Sequence, residues 1–325
     1  MSPSPHFCIV VPDAESEADA ESLRACFEAS DHDQTDLRIH VGNPSGTQQW
    51  NELLSGADAV ILNWKLPDEA LQAAARLRVV SFLGTGAADH LNLELAAERG
   101  ISVRTVSGYS NDAVAEHTLG LLLAAARGIP EKDREMKAGV WSPATGMQLS
   151  GKRLGLIGYG GIGRRVAELG TAFGMDVLAW SRSGATDGPA RAASLEEVLR
   201  ESDVISLHLS LTPETTGFIG AAELATMRSG ALLVNTARGA LVDEAAVLAA
   251  LESQHLGGYA TDVLTTEPAT GPTALVAHPR VVATPHIGYA TADAEQELLR
   301  RGLANALVEL RAQQESRSTK KEPHG

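Results

Sequence analysis

Three side chains at the downstream ends of short apolar runs have the types needed to hold and protonate an anionic carbonyl compound. Arg238 follows the run 231–235 in Asn235-Thr236-Ala237-Arg238-Gly239, and its guanidinium fork can grip a carboxylate through two parallel hydrogen bonds. His286, in Thr284-Pro285-His286-Ile287-Gly288, follows another such run and carries imidazole, the side chain whose ordinary pKa suits proton exchange near neutrality. Glu267, in Asp262-Val263-Leu264-Thr265-Thr266-Glu267-Pro268, follows a third; its carboxylate could accept a hydrogen bond from the second ring nitrogen, orienting the ring and favouring imidazolium. A cation for a carboxylate, a proton donor for an oxygen and a group that keeps the donor charged are what reversible reduction of a 2-keto acid requires besides a hydride source. Taken singly each residue has a plainer reading, since a loop His or Glu is more often a surface residue and an Arg can simply tie loops together. Their placement at three successive strand ends, where open α/β sheets bind ligands, favours the catalytic reading.

A hydride source is suggested upstream. Leu154-Gly155-Leu156-Ile157 reads as a buried strand, followed at once by Gly158-Tyr159-Gly160-Gly161-Ile162-Gly163 and a helical stretch over 164–173. In that order Gly158 permits the tight turn, Gly160 lets backbone approach a pyrophosphate, and Gly163 lets the helix pack closely, while unpaired N–H groups at the helix start face the anion. The context makes dinucleotide binding a better reading than a merely structural glycine turn. After the next strand, 177–180, the residues are Ser181-Arg182-Ser183. No carboxylate stands there to repel a 2′-phosphate, and Arg182 could pair with one, so NADP(H) is favoured slightly over NAD(H). A solvated surface arginine is the alternative.

The elements that must position these groups are those of an α/β chain with parallel sheets, because short β-branched runs alternate with amphipathic helices throughout. Strands are expected at 7–11, 37–41, 59–63 and 79–83, with helices at 18–28, 68–75 and 93–99. A second strand series is expected at 153–157, 176–180, 204–209, 231–235, 257–262 and 281–283, so two sheets fit better than one. Between the series lies an Ala/Leu-rich helix, 114–127, apolar almost all round except at Glu116 and His117, which predicts burial on several sides, between domains or between subunits. A last helical pattern covers 291–311, and the polar stretch from Gln313 to Gly325 reads as frayed.

Composition narrows the partners. The 325 residues are 44% hydrophobic and 21% charged, which is globular, and the net charge of −14 disfavours nucleic acid and anionic membranes. An anionic substrate must therefore be captured by a local cluster of donors. Two scattered cysteines, Cys8 and Cys26, suit neither a disulfide framework nor a zinc site, and no metal is expected. The first residues lack the basic and apolar regions of a signal peptide and no run approaches a membrane span, so a cytosolic location is expected.

The sequence resembles the D-2-hydroxyacid dehydrogenase family, the D-isomer-specific group that includes glyoxylate, hydroxypyruvate and phosphoglycerate dehydrogenases. The resemblance covers nearly the whole chain and is carried by Val114-Ala115-Glu116-His117-Thr118, Gly158 to Gly163, His208 to Thr215, Asn235 to Asp243, Asp262 to Pro268 and Pro285 to Gly288. It implies two Rossmann-like or flavodoxin-like parallel-sheet domains with an active-site cleft between them: a substrate domain from 1–104 and 290–325, and a dinucleotide domain from 105–289. It implies that Arg238 binds and polarises substrate and that His286 is the acid/base paired with Glu267. By the same resemblance the cofactor meets Thr118, the turn from Gly158 to Gly163 with Tyr159, Gly161 and Ile162 between, Ser181, Arg182, Ser183, His208, Leu209, Thr215, Thr236, Ala237, Asp262 and Gly288. The substrate carboxylate would meet Thr85 and Gly86 in the loop Phe82-Leu83-Gly84-Thr85-Gly86-Ala87, although those glycines could serve only the turn. A homodimer through the long helix is also implied. Two departures stand out: the 84–93 stretch is one residue longer than usual with Asn92 where Asp is common, and Ser210 replaces the proline of a His-x-Pro motif. Trp64, Lys65 and Trp141 could shape substrate preference or serve packing. The rival readings are a dinucleotide-sensing regulatory protein and a phosphite-type dehydrogenase. Retention of the whole trio argues against the first, and the absence of a lysine at Thr85 argues against the second.

Overall fold

The computed structural model describes residues 7–30, 34–184 and 187–319, with side chains through 316. It divides into two compact units, one formed by the chain up to Ser110 together with the chain from Ala292, the other by Asn111–Thr291.

The first unit runs β1 (Phe7–Ala14), α1 (Glu17–Glu28), β2 (Thr35–Val41), α2 (Gly46–Leu54), β3 (Ala59–Leu62), α3 (Asp68–Ala73), β4 (Val79–Phe82), α4 (Leu93–Glu98) and β5 (Ser102–Thr105). All its strands pair in parallel, in the order β2-β1-β3-β4-β5. Strands covered on both faces must be apolar on both, and β1 shows how the period of two divides the work. Phe7, Ile9 and Val11 face one cluster with Leu23 of α1, while Cys8 and Val10 face the other, with Trp50, Leu54 and Leu71.

In the second unit α5 (Asn111–Arg127) and α6 (Ile129–Lys137) precede β6 (Arg153–Ile157), α7 (Gly161–Ala172), β7 (Asp176–Trp180), the short β8 (Arg191–Ala192), α8 (Leu195–Glu201), β9 (Val204–Leu207), α9 (Ala221–Thr226), β10 (Ala231–Asn235), α10 (Glu244–Glu252), β11 (Leu256–Thr261) and β12 (Val281–Ala283). The parallel order is β12-β11-β10-β9-β6-β7-β8, so the chain reverses its direction of travel across the sheet between β6 and β9. Ligands of such sheets sit outside the strand C-termini at that reversal. The fold class is thus α/β with a five-stranded and a seven-stranded parallel sheet.

The long helix α5 is buried through Ala115, Leu119, Leu122 and Ala126 in one cluster with Leu154, Leu156 and Val234 of the second sheet. The last helix, α11 (Ala292–Thr319), returns to the first unit, where Leu299, Leu303 and Leu310 pack on Ile9, Ile61 and Val79. The helix lies close against the sheet at Gly302, where a Cβ would fall 2.3 Å from Leu83 Cδ2. This helix corrects the sequence expectation of fraying from Gln313. It continues to Thr319, with Gln313 Nε2 donating to Glu309 Oε1 at 3.2 Å and Ser316 Oγ donating to the Ala312 carbonyl at 2.9 Å. A polar face is no bar to helix when i,i+4 partners are present. Residues 320–325 of that expected tail lie outside the described residues.

Candidate active site

Asp262, the residue after β11, organises the chain that follows β12. Its Oδ1 accepts from Thr284 Oγ1 at 2.5 Å and from the Ile287 amide at 3.0 Å, and its Oδ2 accepts from the Gly288 amide at 2.7 Å. Its own carbonyl accepts from the His286 amide at 2.8 Å. Burial opposes ionisation of this carboxyl, but hydrogen bonds from His117, Thr284, Ile287 and Gly288 outweigh it and hold the group at about 2. The loop 284–288 is thereby wrapped around a permanent negative charge. Within it His286 adopts φ +56°, a left-handed conformation that costs a non-glycine residue roughly 1 kcal/mol and is sustained by the bonds on either side.

That conformation places His286 Nδ1 2.7 Å from Glu267 Oε2. The other oxygen of Glu267 accepts from the Leu264 amide at 2.7 Å, so the carboxylate is fixed in its own loop before it meets the ring. An acceptor at Nδ1 requires the proton there, which leaves Nε2 to exchange a proton with a ligand. The Tyr289 ring stands edge-on to the imidazole, 5.9 Å away.

Arg238 follows β10. Buried Asn235 folds the turn, with Nδ2 donating to the Arg238 carbonyl at 2.9 Å and Oδ1 accepting from the Ala237 amide at 3.1 Å. The guanidinium is exposed, reaches only the Ala237 carbonyl at 2.7 Å, and pairs with no carboxylate among the described residues. Its neighbour Gly239 has no room for a side chain: a Cβ would fall 2.0 Å from the carbonyl carbon of Leu264. The Arg238 turn is therefore set backbone-to-backbone against the loop that carries Glu267. The structure joins Glu267 and His286 directly, and it ties Arg238 to them through main chain rather than through a bond between side chains.

The glycine turn fits an anionic dinucleotide. Gly158 has φ +103°, and a Cβ there would strike the His208 carbonyl at 2.4 Å; at Gly163 it would strike the Gly158 carbonyl, also at 2.4 Å. By contrast a Cβ at Gly160 would meet nothing within 4 Å, so that face of the turn is open. No side chain caps α7, whose first N–H groups have no acceptor within the helix, and Gly160 and Gly161 are exposed. Ile162 is half-buried, whereas the Tyr159 ring is packed in the core beneath Arg164, so only its backbone is offered to a ligand.

Ser181, Arg182 and Ser183 form a turn after β7, with the two serine hydroxyls 3.4 Å apart and Arg182 exposed. In the loop after β9, Glu214 is held below the usual carboxylate range by the Thr212 hydroxyl and its own amide, with a weaker contribution from the charge of Arg182. His208 Nε2 lies 2.9 Å from Ser206 Oγ, and burial pushes its pKa down to about 4. Leu209 is half-buried, and the Thr215 hydroxyl closes its loop by donating to the Ser210 carbonyl at 2.8 Å. Thr118 is buried in α5 with its hydroxyl between the Val114 carbonyl and Thr236 Oγ1. Ala237 is half-buried, and Gly288 lies under the Asp262 carboxylate and the His117 ring.

In the first unit Thr85 and Gly86 are exposed just past β4. In the same unit, the Trp64 amide donates to buried Asp13 at 2.6 Å and the Trp64 carbonyl lies 2.6 Å from His90 Nδ1, which fixes the backbone of a half-exposed indole. Burial raises the Asp13 pKa, while the Trp64 and Asn63 amides oppose that rise. Lys65 is exposed, as is Trp141 of the second unit. The unusual Asn92 caps α4 through the Leu95 amide and donates to Asp68, which an aspartate could not do. Sequence reasoning missed Asp13 near the end of β1, His90, Glu214 and the bonding of His117; Glu214 and His117 lie within quoted motifs, but nothing in those motifs shows what the two side chains meet.

Residues 119–288 match the family model described as "D-isomer specific 2-hydroxyacid dehydrogenase, NAD binding domain". A glyoxylate reductase of Aeropyrum pernix is 40% identical over 250 residues, covering 72% of this chain and 74% of that protein. A D-3-phosphoglycerate dehydrogenase of Mycobacterium leprae is 38% identical over 290 residues, covering 85% of this chain but only 53% of the relative, so the chain spans about half of that protein's length. Among solved structures, a D-lactate dehydrogenase of Treponema pallidum superposes with a TM-score of 0.84 at 27% identity, covering 94% of this chain and 97% of that one. With the family model, the relatives and the sheet order in agreement, this chain belongs to the D-isomer specific 2-hydroxyacid dehydrogenases, the NAD(P)-dependent oxidoreductases of small 2-hydroxy and 2-keto acids.

Proposed function

We propose that the chain reduces a small 2-keto acid to its D-2-hydroxy acid with Arg238, Glu267 and His286 as the catalytic set. The observation that carries this reading is the 2.7 Å contact between His286 Nδ1 and Glu267, which commits one ring nitrogen and frees the other at a strand C-terminus. Arg238, exposed and without a carboxylate partner among the described residues, binds the substrate carboxylate and draws charge onto the keto oxygen. His286 gives the Nε2 proton to that oxygen, and Glu267, bonded at Nδ1, keeps the ring oriented. The turn from Gly158 to Gly163 would hold the pyrophosphate, and the reduced nicotinamide, when bound, supplies the hydride. Arg182 between two serine hydroxyls supports NADP(H) over NAD(H). Thr85 and Gly86 are the proposed carboxylate-side backbone donors, with the chain to 104 and from 290 as the substrate domain. A cytosolic homodimer is part of the same reading. Among the described residues no helix is long and apolar enough to cross a membrane, and the exposed side chains of Ile129, Met136 and Trp141 offer apolar surface for a second copy to cover.

The test is oxidation of NADPH and NADH with glyoxylate, hydroxypyruvate, pyruvate and phenylpyruvate. Turnover is expected with at least one acid, falling by roughly a thousandfold in Arg238→Ala and in His286→Ala. Parental rates in either variant would remove that residue from the mechanism.

A further inference from the structure

Two consecutive residues of α5 each hold one of the two loops assigned to catalysis. His117 Nε2 lies 2.9 Å from Thr284 Oγ1 and 3.3 Å from Asp262 Oδ1. Thr284 has one hydroxyl proton and spends it on Asp262 at 2.5 Å, so its oxygen must accept, and His117 Nε2 must carry the hydrogen. The next residue, Thr118, is buried and gives its proton to the Val114 carbonyl at 2.7 Å, so the 2.8 Å contact with Thr236 runs the other way, with Thr236 donating. Thr236 lies two residues before Arg238, and Thr284 lies two residues before His286. α5 is itself immobilised in the core by Ala115, Leu119 and Leu122. A rigid helix thus sends adjacent side chains to the turn that bears the guanidinium and to the loop that bears the imidazole.

We propose that His117 and Thr118 are positioning residues, a two-residue brace that fixes the Arg238 turn and the His286 loop relative to each other. Neither needs to touch substrate. The fit is close at the His117 end, where a Cβ on Gly288 would lie 3.3 Å from the imidazole and 2.9 Å from Asp262 Oδ2. Reacting groups displaced by a fraction of an ångström lose rate without losing ligand affinity, because the binding contacts form before the reacting geometry is demanded. The brace rests on the assignment of Arg238 and His286 made above.

The experiment compares His117→Leu, His117→Gln, Thr118→Val and Thr118→Ser with the parent and with Arg238→Ala and His286→Ala. It measures kcat, KM for the keto acid, cofactor Kd by nucleotide fluorescence, and the melting temperature. His117→Leu and Thr118→Val are each expected to lower kcat about tenfold, with KM for the keto acid changing less than threefold in both and cofactor Kd changing less than threefold in His117→Leu. His117→Gln, which restores a donor near the Nε2 position, and Thr118→Ser, which restores the hydroxyl, should recover most of the loss. Parental kcat in the Leu and Val variants overturns the brace, as does a loss in His117→Gln equal to that in His117→Leu, or a loss confined to cofactor affinity. If Arg238→Ala and His286→Ala stay fully active, the site assignment fails and the brace falls with it. If they are inactive while His117→Leu and Thr118→Val are not, only the brace fails.

Discussion

Gly160→Ala separates ligand binding from folding at the glycine turn. Gly160 sits at φ −84° and ψ −159°, extended backbone that alanine adopts freely, and an added Cβ meets nothing within 4 Å. Folding should not suffer; loss of glycine's freedom in the unfolded chain should add a few tenths of a kcal/mol. The methyl would nevertheless occupy the open face where the proposed pyrophosphate approaches the first N–H groups of α7. Pushing a phosphate away by about 1 Å weakens one or two charge-assisted hydrogen bonds, each worth roughly 1.5 kcal/mol, so cofactor affinity should drop roughly tenfold to a hundredfold. Gly163→Ala is the contrast, since its Cβ would lie 2.4 Å from the Gly158 carbonyl, about 1 Å inside ordinary contact, and should lower both stability and affinity. Melting temperature and NADPH titration by fluorescence, measured on both variants, give the comparison. Parental NADPH affinity in Gly160→Ala would refute the idea that the open face of the turn is where the dinucleotide sits.

Gly239→Ala should cost both stability and turnover, because its Cβ would lie 2.0 Å from the Leu264 carbonyl carbon and must part the Arg238 turn from the Glu267 loop. A fall in kcat on the order of a hundredfold is expected from steady-state assays, and a fully active variant would show that the two loops need not abut. Arg182→Ala should raise KM for NADPH roughly tenfold and leave that for NADH within twofold, as read from paired titrations; equal changes would withdraw the NADP(H) preference. Stability should also fall on acidification in a defined window. His208 has a folded pKa of about 4 against an ordinary 6.5, so below pH 6.5 the unfolded chain takes a proton that the folded chain refuses. Stability is therefore complete above 6.5 and declines toward pH 4 by at most about 3 kcal/mol. Asp262, held at about 2, adds a loss only below its ordinary value of 3.8. Urea midpoints at pH 7, 5.5 and 4.5 should decline for the parent and stay nearly level for His208→Gln. A parallel decline in both would assign the effect to other groups.

The parts of the fold legible in the sequence were those written as apolar runs between turn signals. Strands β6, β7, β10 and β12 fall on their expected residues because each is a short apolar run between turn signals; β10 is buried throughout and β6 nearly so, and burial on both faces leaves a sequence no alternative pattern, whereas β12 at the sheet edge is only partly buried. Helix α6, Ile129–Lys137, was not legible: it contributes no buried residue, so no apolar stripe announces it, and it begins after Gly128 in a left-handed conformation. The end of α11 was misread for a related reason, since its last turns are held by side-chain bonds among polar residues rather than by packing. Within the site, the Glu267–His286 contact followed from chemistry, as a ring needs an orienting acceptor. The bonding of His117 did not, because a lone polar residue on an apolar helix gives no hint of which distant loop it meets, 167 residues further along the chain.

Gly239 and Gly288 mark where the loops bearing the proposed residues press on their neighbours. Gly239 follows Arg238 and Gly288 lies two residues after His286, and each is a place where another segment presses so closely that a methyl group has little room: Leu264 against Gly239, Asp262 and His117 against Gly288. A close-packed interior transmits displacement, so contacts of this kind fix loop positions more stiffly than flexible side-chain bridges would. The guanidinium of Arg238 can then remain exposed and uncommitted to any carboxylate while its backbone is held. Had it been anchored instead by an ion pair, an arriving substrate carboxylate would first have to displace that partner. On a chain carrying a net charge of −14, leaving this guanidinium without a carboxylate partner among the described residues while locking the main chain beneath it gives an anionic substrate a local reason to bind against the general field.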